Sequence, residues 1–439
     1  MPTPQTLRWS QLTPAERIAA LRRPAQNEAE ALLVRVREIV QDVRARGEEA
    51  VLEYTRRFDC PTLETLEVRA HEFAAAEREL SAERLQAIDR AIANVRRFHE
   101  AQRAEPLVVT ISEGVVCERH DRAIDAVGLY VPAGVAPLPS TAIMLAAPAQ
   151  IAGCRTRIIA TPPRADGRAD PAVLAIARRC GVERVFKMGG AQAIAAMAYG
   201  VGSVPKVDKI FGPGNAWVTA AKMMCANDPD GAALDPPAGP SEVLVIADDT
   251  ARADFVAADL LAQAEHSVDA QAILVTSSQA LADATARAID AQVRTLDRID
   301  TLRASIGHAR LIVVDSLEGA FELSNEYAPE HLIVHVREAR SWLSRIRNAG
   351  SVFLGPWTPE TMGDYCSGAN HVLPTYGFAR AYSGLSLQDF VRRMTVQELT
   401  PAGLCDLGPT ALVLAELEGL DAHANAVSVR LAQLSGSAA

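Results

Sequence analysis

The residues with the clearest capacity for chemistry are Glu330 and His331, which are adjacent in the segment "NEYAPEHLIVHV". They follow Pro329 and open an apolar, β-branched run that is typical of a buried strand. In a cleft, a neighbouring carboxylate and imidazole can divide proton transfers between them. The alternative is a solvated strand start, because an X-Pro pair often begins an extended segment. From these residues alone, both interpretations stay open.

A second group of residues has the types and spacing of part of a metal site. Gln263 and His266 lie three residues apart in "LLAQAEHSVD", at the end of an amphipathic stretch, which predicts that they share one helix face. Further ligands would come from distant segments, where Asp364, His371 and His423 are candidates. Imidazole and oxygen ligands without a thiolate suit Zn²⁺ or a similar divalent ion. The alternative for His266 is a cap that interacts with the dipole of the helix C-terminus.

Two glycine-containing turns are candidates for a cofactor site. The segment "GPGNAW", residues 212–217, is the nearest match to a dinucleotide-binding fingerprint, but it lacks the third glycine and reads equally as an ordinary turn. In "KMGGAQAIAAMAYG", Gly189 and Gly190 follow a predicted strand and open an alanine-rich helix. The free N–H groups at such a helix start suit a phosphate or a cofactor amide. A tight strand-to-helix turn without a ligand is the alternative.

These residues need a scaffold, and the sequence predicts an α/β fold. The first hundred residues read as helices, with a capping box at Thr13 and Glu16 and a C-capping Gly47. From about residue 106, short β-branched runs alternate with small-residue helices, which indicates α/β units around a mainly parallel sheet. Residues 126–161 and 241–276 share a strand–helix–strand layout, so we expect two similar α/β halves. After about residue 385 the pattern, including "LQDFVRRMTVQEL", again predicts helices.

Composition excludes several classes of protein. The chain has 439 residues, of which 49% are hydrophobic and 22% charged, as is ordinary for a globular protein. A net charge of -10 without a basic block argues against a nucleic-acid or membrane-surface partner. The seven cysteines contain no CxxC pair, so we expect neither a disulfide framework nor a thiolate zinc cluster, and a reducing, cytoplasmic setting. The N-terminus predicts no signal peptide, and no run reaches the ~18 apolar residues of a membrane span.

Taken together, these stretches resemble the histidinol dehydrogenase family over nearly the whole chain. The segments that carry the resemblance are "GLYVPAGVAPLPST", "MGGAQAIAA", "VPKVDKIFGPGNA", "PAGPSEVLVIAD", "DLLAQAEHSVDAQ", "YAPEHL", "GSVFLGPWTPETMGDYCSGANHVLPT" and "RMTVQEL". The resemblance implies two incomplete Rossmann-like domains, with small helical N- and C-terminal segments exchanged in a homodimer. On this basis we divide the chain into a helical segment 1–25, a first α/β domain 26–132 and 242–385, a second α/β domain 133–241, and a helical segment 386–439.

The resemblance also implies a reaction. Members of this family act in histidine biosynthesis and oxidise L-histidinol to L-histidine through the aldehyde, with zinc and two NAD. The alternative is a relative with the same zinc and NAD apparatus that acts on another small alcohol, such as a sulfonated diol. Glu418 favours histidinol, because an acidic side chain attracts a cationic amine and repels a sulfonate.

Matching the family residue by residue gives a set of expected site residues. The expected catalytic pair is Glu330 and His331; the expected zinc ligands are Gln263, His266, Asp364 and His423, the last from the other subunit; the expected NAD contacts are Tyr130, Gln192 and Asn215; and the expected substrate contacts are Ser241, Gln263, His266, His331, Asp364, Glu418 and His423. Ala133 and Ser267 stand where the family commonly has glycine, and neither is an expected ligand.

Overall fold

The computed structural model describes residues 4–24, 29–133, 137–236 and 239–436, and the chain divides into two compact units. Unit 1 comprises Met1–Gln102 and Ile124–Phe390, and unit 2 comprises Arg103–Ala123 and Val391–Ala439. Within the described ranges, none of the helices combines the length and apolar character that crossing a bilayer requires.

Strands and helices alternate through most of unit 1. The strands are β1 (Gln5–Arg8), β2 (Leu107–Ser112), β3 (Val115–Ala123), β4 (Ala126–Tyr130), β5 (Thr156–Thr161), β6 (Arg184–Lys187), β7 (Lys209–Phe211), β8 (Ala233–Leu234), β9 (Glu242–Ala247), β10 (Gln271–Thr276), β11 (Arg310–Val313), β12 (His331–His335), β13 (Ser351–Leu354) and β14 (Val391–Leu399). The helices are α1 (Pro14–Leu21), α2 (Ala29–Arg46), α3 (Glu48–Phe58), α4 (Ala70–Glu79), α5 (Ala82–Glu100), α6 (Pro139–Ala152), α7 (Pro171–Arg179), α8 (Gly190–Tyr199), α9 (Ala216–Ala226), α10 (Ala253–Ala264), α11 (Gln279–Gln292), α12 (Ile299–Ile306), α13 (Leu317–Tyr327), α14 (Glu360–Tyr365), α15 (Pro401–Leu417) and α16 (Asp421–Gly436).

Unit 1 contains two parallel sheets of related topology. The five-stranded sheet has the order β6-β5-β4-β7-β8, and the six-stranded sheet has the order β1-β11-β10-β9-β12-β13. In each, the chain starts at a central strand, adds two strands on one side and then two on the other, and β1 extends the second sheet by pairing with β11. The expectation of two similar α/β halves with parallel sheets is therefore confirmed.

The six-stranded sheet is buried on both faces. All six residues of β9 are buried, and so are all six residues of β10. On one face Val243 and Val245 pack with residues of α10 and α12, and on the other face Leu244 and Ile246 pack with α13. Because both faces are apolar, polar side chains of these strands are confined to the strand ends, where a site can form.

The N-terminal helices pack against the five-stranded sheet. Val36 and Val43 of α2 share a core with Phe186 of β6, while Val95 of α5 shares a core with Leu129 of β4. The five-stranded sheet thus begins at β4, before residue 133, and takes α2–α5 as its cover. The division that groups 26–132 with 242–385 differs from this packing, and its boundary at residues 25–26 lies outside the described residues.

Local signals at the N-terminus are borne out in part. Thr13 and Glu16 form the expected capping box, with Pro14 as the first residue of α1. Gly47 follows α2 with φ of +66°, as expected for a residue that ends a helix. The segment before residue 25 is not wholly helical, because β1 pairs in parallel with β11.

Unit 2 corrects one expectation. The segment "LQDFVRRMTVQEL" was predicted to be helical, but residues 387–390 form a short 3-10 turn and residues 391–399 form β14. β14 pairs antiparallel with β3 over nine residue pairs, and β2 completes the sheet. That pairing satisfies the backbone of β14 across a partner strand distant in sequence, which local periodicity does not report. The C-terminal residues are helical as expected, in α15 and α16.

Candidate active site

Glu330 lies immediately before β12 and is nearly buried. A left-handed residue, Ala328 with φ of 54°, ends α13 and turns the chain into this position. Glu330 Oε2 accepts hydrogen bonds from the Ser241 hydroxyl at 2.7 Å and from the Glu242 N–H at 2.9 Å. Burial raises the pKa of Glu330 to about 7, although the neighbouring His331 opposes the shift. The solvated strand start is therefore excluded for this carboxylate, which is 6% exposed.

His331 is the first residue of β12, with only 3% of its surface exposed. Its Nδ1 donates to the Glu242 carbonyl oxygen at 3.2 Å, so Nδ1 carries a proton. Its Nε2 has no hydrogen-bond partner within the described part of the chain and lies 3.5 Å from Asp364 Oδ1, an ion-pair distance. Burial lowers the pKa of His331, but the carboxylates of Glu330, Asp364 and Glu360 outweigh it and raise the pKa to about 10.

Asp364 is brought to His331 by α14. Burial raises its pKa, but His331 and, to a lesser extent, His371 and His266 lower it more, so the net shift is downward. Both ring nitrogens of His371 are engaged, Nδ1 with the Asp364 carbonyl oxygen at 2.7 Å and Nε2 with the Thr141 hydroxyl at 3.3 Å. His371 therefore supports the Asp364 loop and has no nitrogen left for a metal ion.

Gln263 and His266 lie at the C-terminal end of α10. Gln263 is fully buried; its Oε1 is 3.5 Å from the Ser241 hydroxyl, and its Nε2 has no partner among the described side chains and backbone groups. His266 lies two residues past the helix rather than on it, and its Nδ1 donates to the Ala262 carbonyl oxygen at 3.1 Å. The expected capping contact thus exists, and it leaves Nε2 free, as in most histidines that bind a metal.

Glu418 and His423 belong to unit 2. Glu418 follows α15 as its C-terminal cap, and His423 is in the first turn of α16. Both side chains are exposed within one chain. Among the described residues of a single chain, no group of three or more His, Cys, Asp or Glu side chains is arranged to hold a metal ion.

The expected cofactor contacts cluster at one edge of the five-stranded sheet. Tyr130 ends β4, Gln192 is in the first turn of α8, and Asn215 caps α9 after β7. The carboxyl ends of parallel strands share an edge, and β4 and β7 are the neighbours between which the strand order reverses. The Tyr130 hydroxyl accepts from the Gly190 N–H at 3.1 Å, so the turn after β6 joins this edge.

The side chains at this edge differ in what they already bind. Gln192 is 1% exposed, and its Nε2 has no partner in the described ranges. Asn215 is exposed, but its Oδ1 accepts from the N–H groups of Trp217 and Val218. Gln192 therefore has an unmet hydrogen-bonding capacity, whereas Asn215 already serves the helix.

Sequence reasoning missed several charged residues near these groups. Glu360 is 1% exposed, its pKa is raised well above the ordinary value by burial, and neither carboxylate oxygen has a partner among the described residues. A buried Lys222–Asp235 pair at 2.6 Å holds both sides of the Gly212 peptide. Asp59, whose pKa burial raises to about 6, approaches Gly189. Acidic residues inside helical or turn segments carry no local signal for such positions.

Known proteins resemble this chain along almost its full length. A sequence profile of the histidinol dehydrogenase family matches residues 21–431. Histidinol dehydrogenase of Xanthomonas campestris pv. campestris is 54% identical over 426 residues, which is 97% of this chain and 99% of that protein. The enzyme of Photobacterium profundum is 51% identical over 430 residues, covering 98% and 96% of the two chains.

A solved structure extends the likeness to the fold. The crystal structure of histidinol dehydrogenase from Elizabethkingia anophelis superimposes with a TM-score of 0.94 at 43% identity, covering 98% of this chain and 99% of that chain. Family profile, relatives and fold agree, and the buried Glu330–His331 pair stands where the resemblance places it. The chain belongs to the histidinol dehydrogenase family of oxidoreductases.

Proposed function

We propose that this chain oxidises L-histidinol to L-histidine through the aldehyde, in a four-electron reaction that reduces two NAD. The observation that carries the proposal is the convergence of Ser241, Gln263, Glu330, His331 and Asp364. These residues come from separate stretches of the chain, yet hydrogen bonds or ion-pair contacts of 2.7 to 3.6 Å link each to the next. Such a buried acid–base pair beside unsatisfied polar groups is the arrangement that proton transfer at a bound substrate requires.

The donor set fits a zinc ion. The proposed ligands are Gln263, His266 and Asp364 with His423 of the partner subunit. The unpaired amide of Gln263 and the free Nε2 of His266 are observations of the chain itself that favour a ligand at this place. When bound, zinc would supply a template that holds the amine and imidazole of histidinol and so places the alcohol carbon. The fourth ligand from a partner accounts for the lack of a complete ligand group in one chain.

His331 is assigned the proton of the alcohol. Its Nδ1 is fixed by the Glu242 carbonyl oxygen, so Nε2 is the nitrogen that accepts the hydroxyl proton while a hydride passes to NAD. The raised pKa of about 10 keeps His331 protonated while Asp364 is unengaged. Once Asp364 acts as a metal ligand, one cause of that shift is withdrawn, and the neutral base becomes accessible.

Glu330 is assigned the second half-reaction. The aldehyde must add water before it can give up a second hydride, and Glu330 would remove a proton from that water. Its pKa of about 7 suits a general base at neutral pH. His331 would then take the hydroxyl proton of the hydrate as the second hydride leaves. Because both residues lie on one turn of backbone, both half-reactions can occur at one carbon.

The remaining contacts would bind substrate and cofactor. The proposed substrate contacts are Ser241, Gln263, His266, His331, Asp364, Glu418 and His423. Glu418 would attract the cationic amine of histidinol, and this supports histidinol over a sulfonated diol. Tyr130, Gln192 and Asn215 would bind NAD at the carboxyl edge of the five-stranded sheet, at the point where the strand order reverses.

We infer that the working enzyme is a cytoplasmic homodimer. Unit 2 exposes large apolar side chains on one chain, among them Leu107 at 48%, Val108 at 59%, Ile111 at 58%, Leu414 at 56% and Leu417 at 77%. Apolar side chains at this density commonly mark a surface that another protein covers. A partner subunit that covers them, and exchanges its C-terminal segment, would also contribute His423.

Removal of metal tests the proposed function directly. The purified chain should reduce NAD when L-histidinol is added, chelation should abolish that activity, and Zn²⁺ should restore it. Full turnover by metal-free protein would contradict the zinc site. Reduction of NAD with a sulfonated diol and none with histidinol would contradict the substrate.

A further inference from the structure

One residue contacts both members of the catalytic pair through its backbone. The Glu242 N–H donates to Glu330 Oε2 at 2.9 Å, and the Glu242 carbonyl oxygen accepts from His331 Nδ1 at 3.2 Å. The first contact orients the carboxylate, and the second fixes the protonated nitrogen of the imidazole. A shift of this one residue would disturb both groups together.

The side chain of Glu242 is itself held in place by a buried network. Glu242 is 2% exposed, and Arg23 binds it in a bidentate manner, Nε to Oε2 at 2.5 Å and Nη2 to Oε1 at 2.7 Å. The Tyr327 hydroxyl donates to Glu242 Oε2 at 3.0 Å, and Gln271 Oε1 lies 2.8 Å from the same hydroxyl. Two parallel N–H···O bonds from a guanidinium give geometric specificity that a single charge does not.

Arg23 also binds the chain that leads into the catalytic pair. Its Nη2 donates to the Tyr327 carbonyl oxygen at 2.9 Å, and its guanidinium carbon lies 4.0 Å from the centre of the Tyr327 ring. Tyr327 is three residues before Glu330, and Ala328 between them is in the left-handed region. Arg23 thus ties together the segment after α1, the start of β9 and the turn that carries Glu330 and His331.

We propose that Arg23, Glu242 and Tyr327 are positioning residues that orient Glu330 and fix the ring nitrogen of His331 that faces the substrate. A buried ion pair adds little to stability compared with apolar packing, so its value here lies in geometry. This inference rests on the proposed function only in that histidinol oxidation supplies the assay. The three residues touch neither substrate nor cofactor in this account, and they act through the peptide of Glu242.

The test replaces the guanidinium and leaves its charge. Arg23→Lys should lower kcat by about ten- to a hundred-fold, because small misplacement of reacting groups is costly, while KM for histidinol and for NAD changes less than about two-fold. Tyr327→Phe should lower kcat in the same direction by less, because it removes one hydrogen bond and keeps the ring. In Arg23→Ala, added guanidinium should restore part of kcat and added ammonium should not, a result that a purely structural role would not give.

Arg17→Lys is the matched control. Arg17 also donates to a backbone carbonyl, that of Trp9, and lies over the Trp9 ring at 5.2 Å, but it has no contact with Glu242. Its replacement should leave kcat within about two-fold of wild type. Unchanged kcat in folded Arg23→Lys and Tyr327→Phe, or an effect on KM alone, would overturn the proposal and leave the proposed function standing.

A readout without substrate keeps the two proposals distinguishable. Nitrogen-15 NMR of histidine-labelled protein should show a His331 Nδ1–H proton protected from solvent exchange in wild type and in Arg17→Lys. Arg23→Lys, or Tyr327→Phe should the lysine variant not fold, should exchange that proton faster. Equal protection in wild type and variant would reject the positioning role, whether or not histidinol proves to be the substrate.

Discussion

Glu330 and His331 share one turn of backbone but differ in their hydrogen-bond partners. Glu330 accepts two hydrogen bonds at one oxygen, from Ser241 and Glu242, and its second oxygen makes neither of these bonds. His331 has one nitrogen fixed by Glu242, and its other nitrogen has no hydrogen-bond partner among the described residues. The first arrangement suits a base that activates water, and the second suits a base that faces the substrate hydroxyl.

Glu330→Gln tests this division of work. The amide keeps the shape and the hydrogen-bond acceptor but removes the base, so oxidation of supplied aldehyde should slow by about 10²- to 10⁴-fold, far more than oxidation of the alcohol. In wild type, aldehyde oxidation should fall as pH falls through about 7, because protonation of Glu330 removes the base. Separate rates for the two substrates across a pH series provide the measurement.

Glu326→Gln is the control for this variant, because Glu326 is an exposed glutamate of the preceding helix α13. It should change neither rate. Equal losses of alcohol and aldehyde oxidation in Glu330→Gln would remove the role assigned to Glu330.

At this scale the sequence revealed residues that are neighbours in the chain and concealed those that are not. The proximity of Glu330 and His331 is visible because they are adjacent. The pairing of Arg23 with Glu242 spans 219 residues, and that of Ser241 with Glu330 spans 89. Each of these polar residues alone is compatible with an exposed position, so only the fold identifies its partner.

At the scale of elements, the two sheets present opposite edges to their functional groups. Ser241 and Glu242 lie at the amino end of β9, and Glu330 and His331 lie at the amino end of β12. Tyr130 lies at the carboxyl end of β4. Hydrogen bonds from Asn370 to Met144 and between His371 and Thr141 tie the Asp364 loop to α6, the helix that follows β4. A shared scaffold thus supports the catalytic pair and the proposed cofactor edge.

Asn215 allows a test that separates helix capping from cofactor binding. Asn215→Ala should cost about 1 kcal/mol of stability through loss of the cap of α9 and should also raise KM for NAD. Asn215→Asp should recover the stability, because Asp is an equally good cap, but KM for NAD should stay raised because the amide is gone. Thermal unfolding and steady-state kinetics together give both quantities.

The control is Asp170→Ala, which removes a similar cap from α7, where Asp170 accepts from the N–H groups of Ala172 and Val173. It should lower stability without a change in KM for NAD. Recovery of both stability and KM in Asn215→Asp would show that Asn215 only caps the helix.

Sequence patterns predicted the elements best where local signals decide them. The capping box of α1 and the buried runs of β9, β10 and β12 were confirmed. The prediction failed for β14, whose pattern was compatible with a helix and whose conformation depends on pairing with β3, far away in the chain. The helix containing Gln263 ends before His266, so the predicted shared face is partly a turn.

At the scale of the whole molecule, the proposed site requires two subunits. If Glu330 and His331 act with His423 of the partner subunit, a heterodimer of His331→Ala and His423→Ala chains contains one intact site and one doubly impaired site. Mixing the two inactive variants under exchange conditions should then restore about a quarter of wild-type activity, since about half of the dimers are mixed. No recovery, in a sample shown to contain heterodimers, would argue against sharing.

The yield of NADH per histidinol tests the central claim most directly, because it counts the hydrides that one substrate gives up at this site. With histidinol limiting and NAD in excess, the account predicts two NADH and one histidine for each histidinol consumed. One NADH for each histidinol, with the aldehyde as the final product, would contradict it.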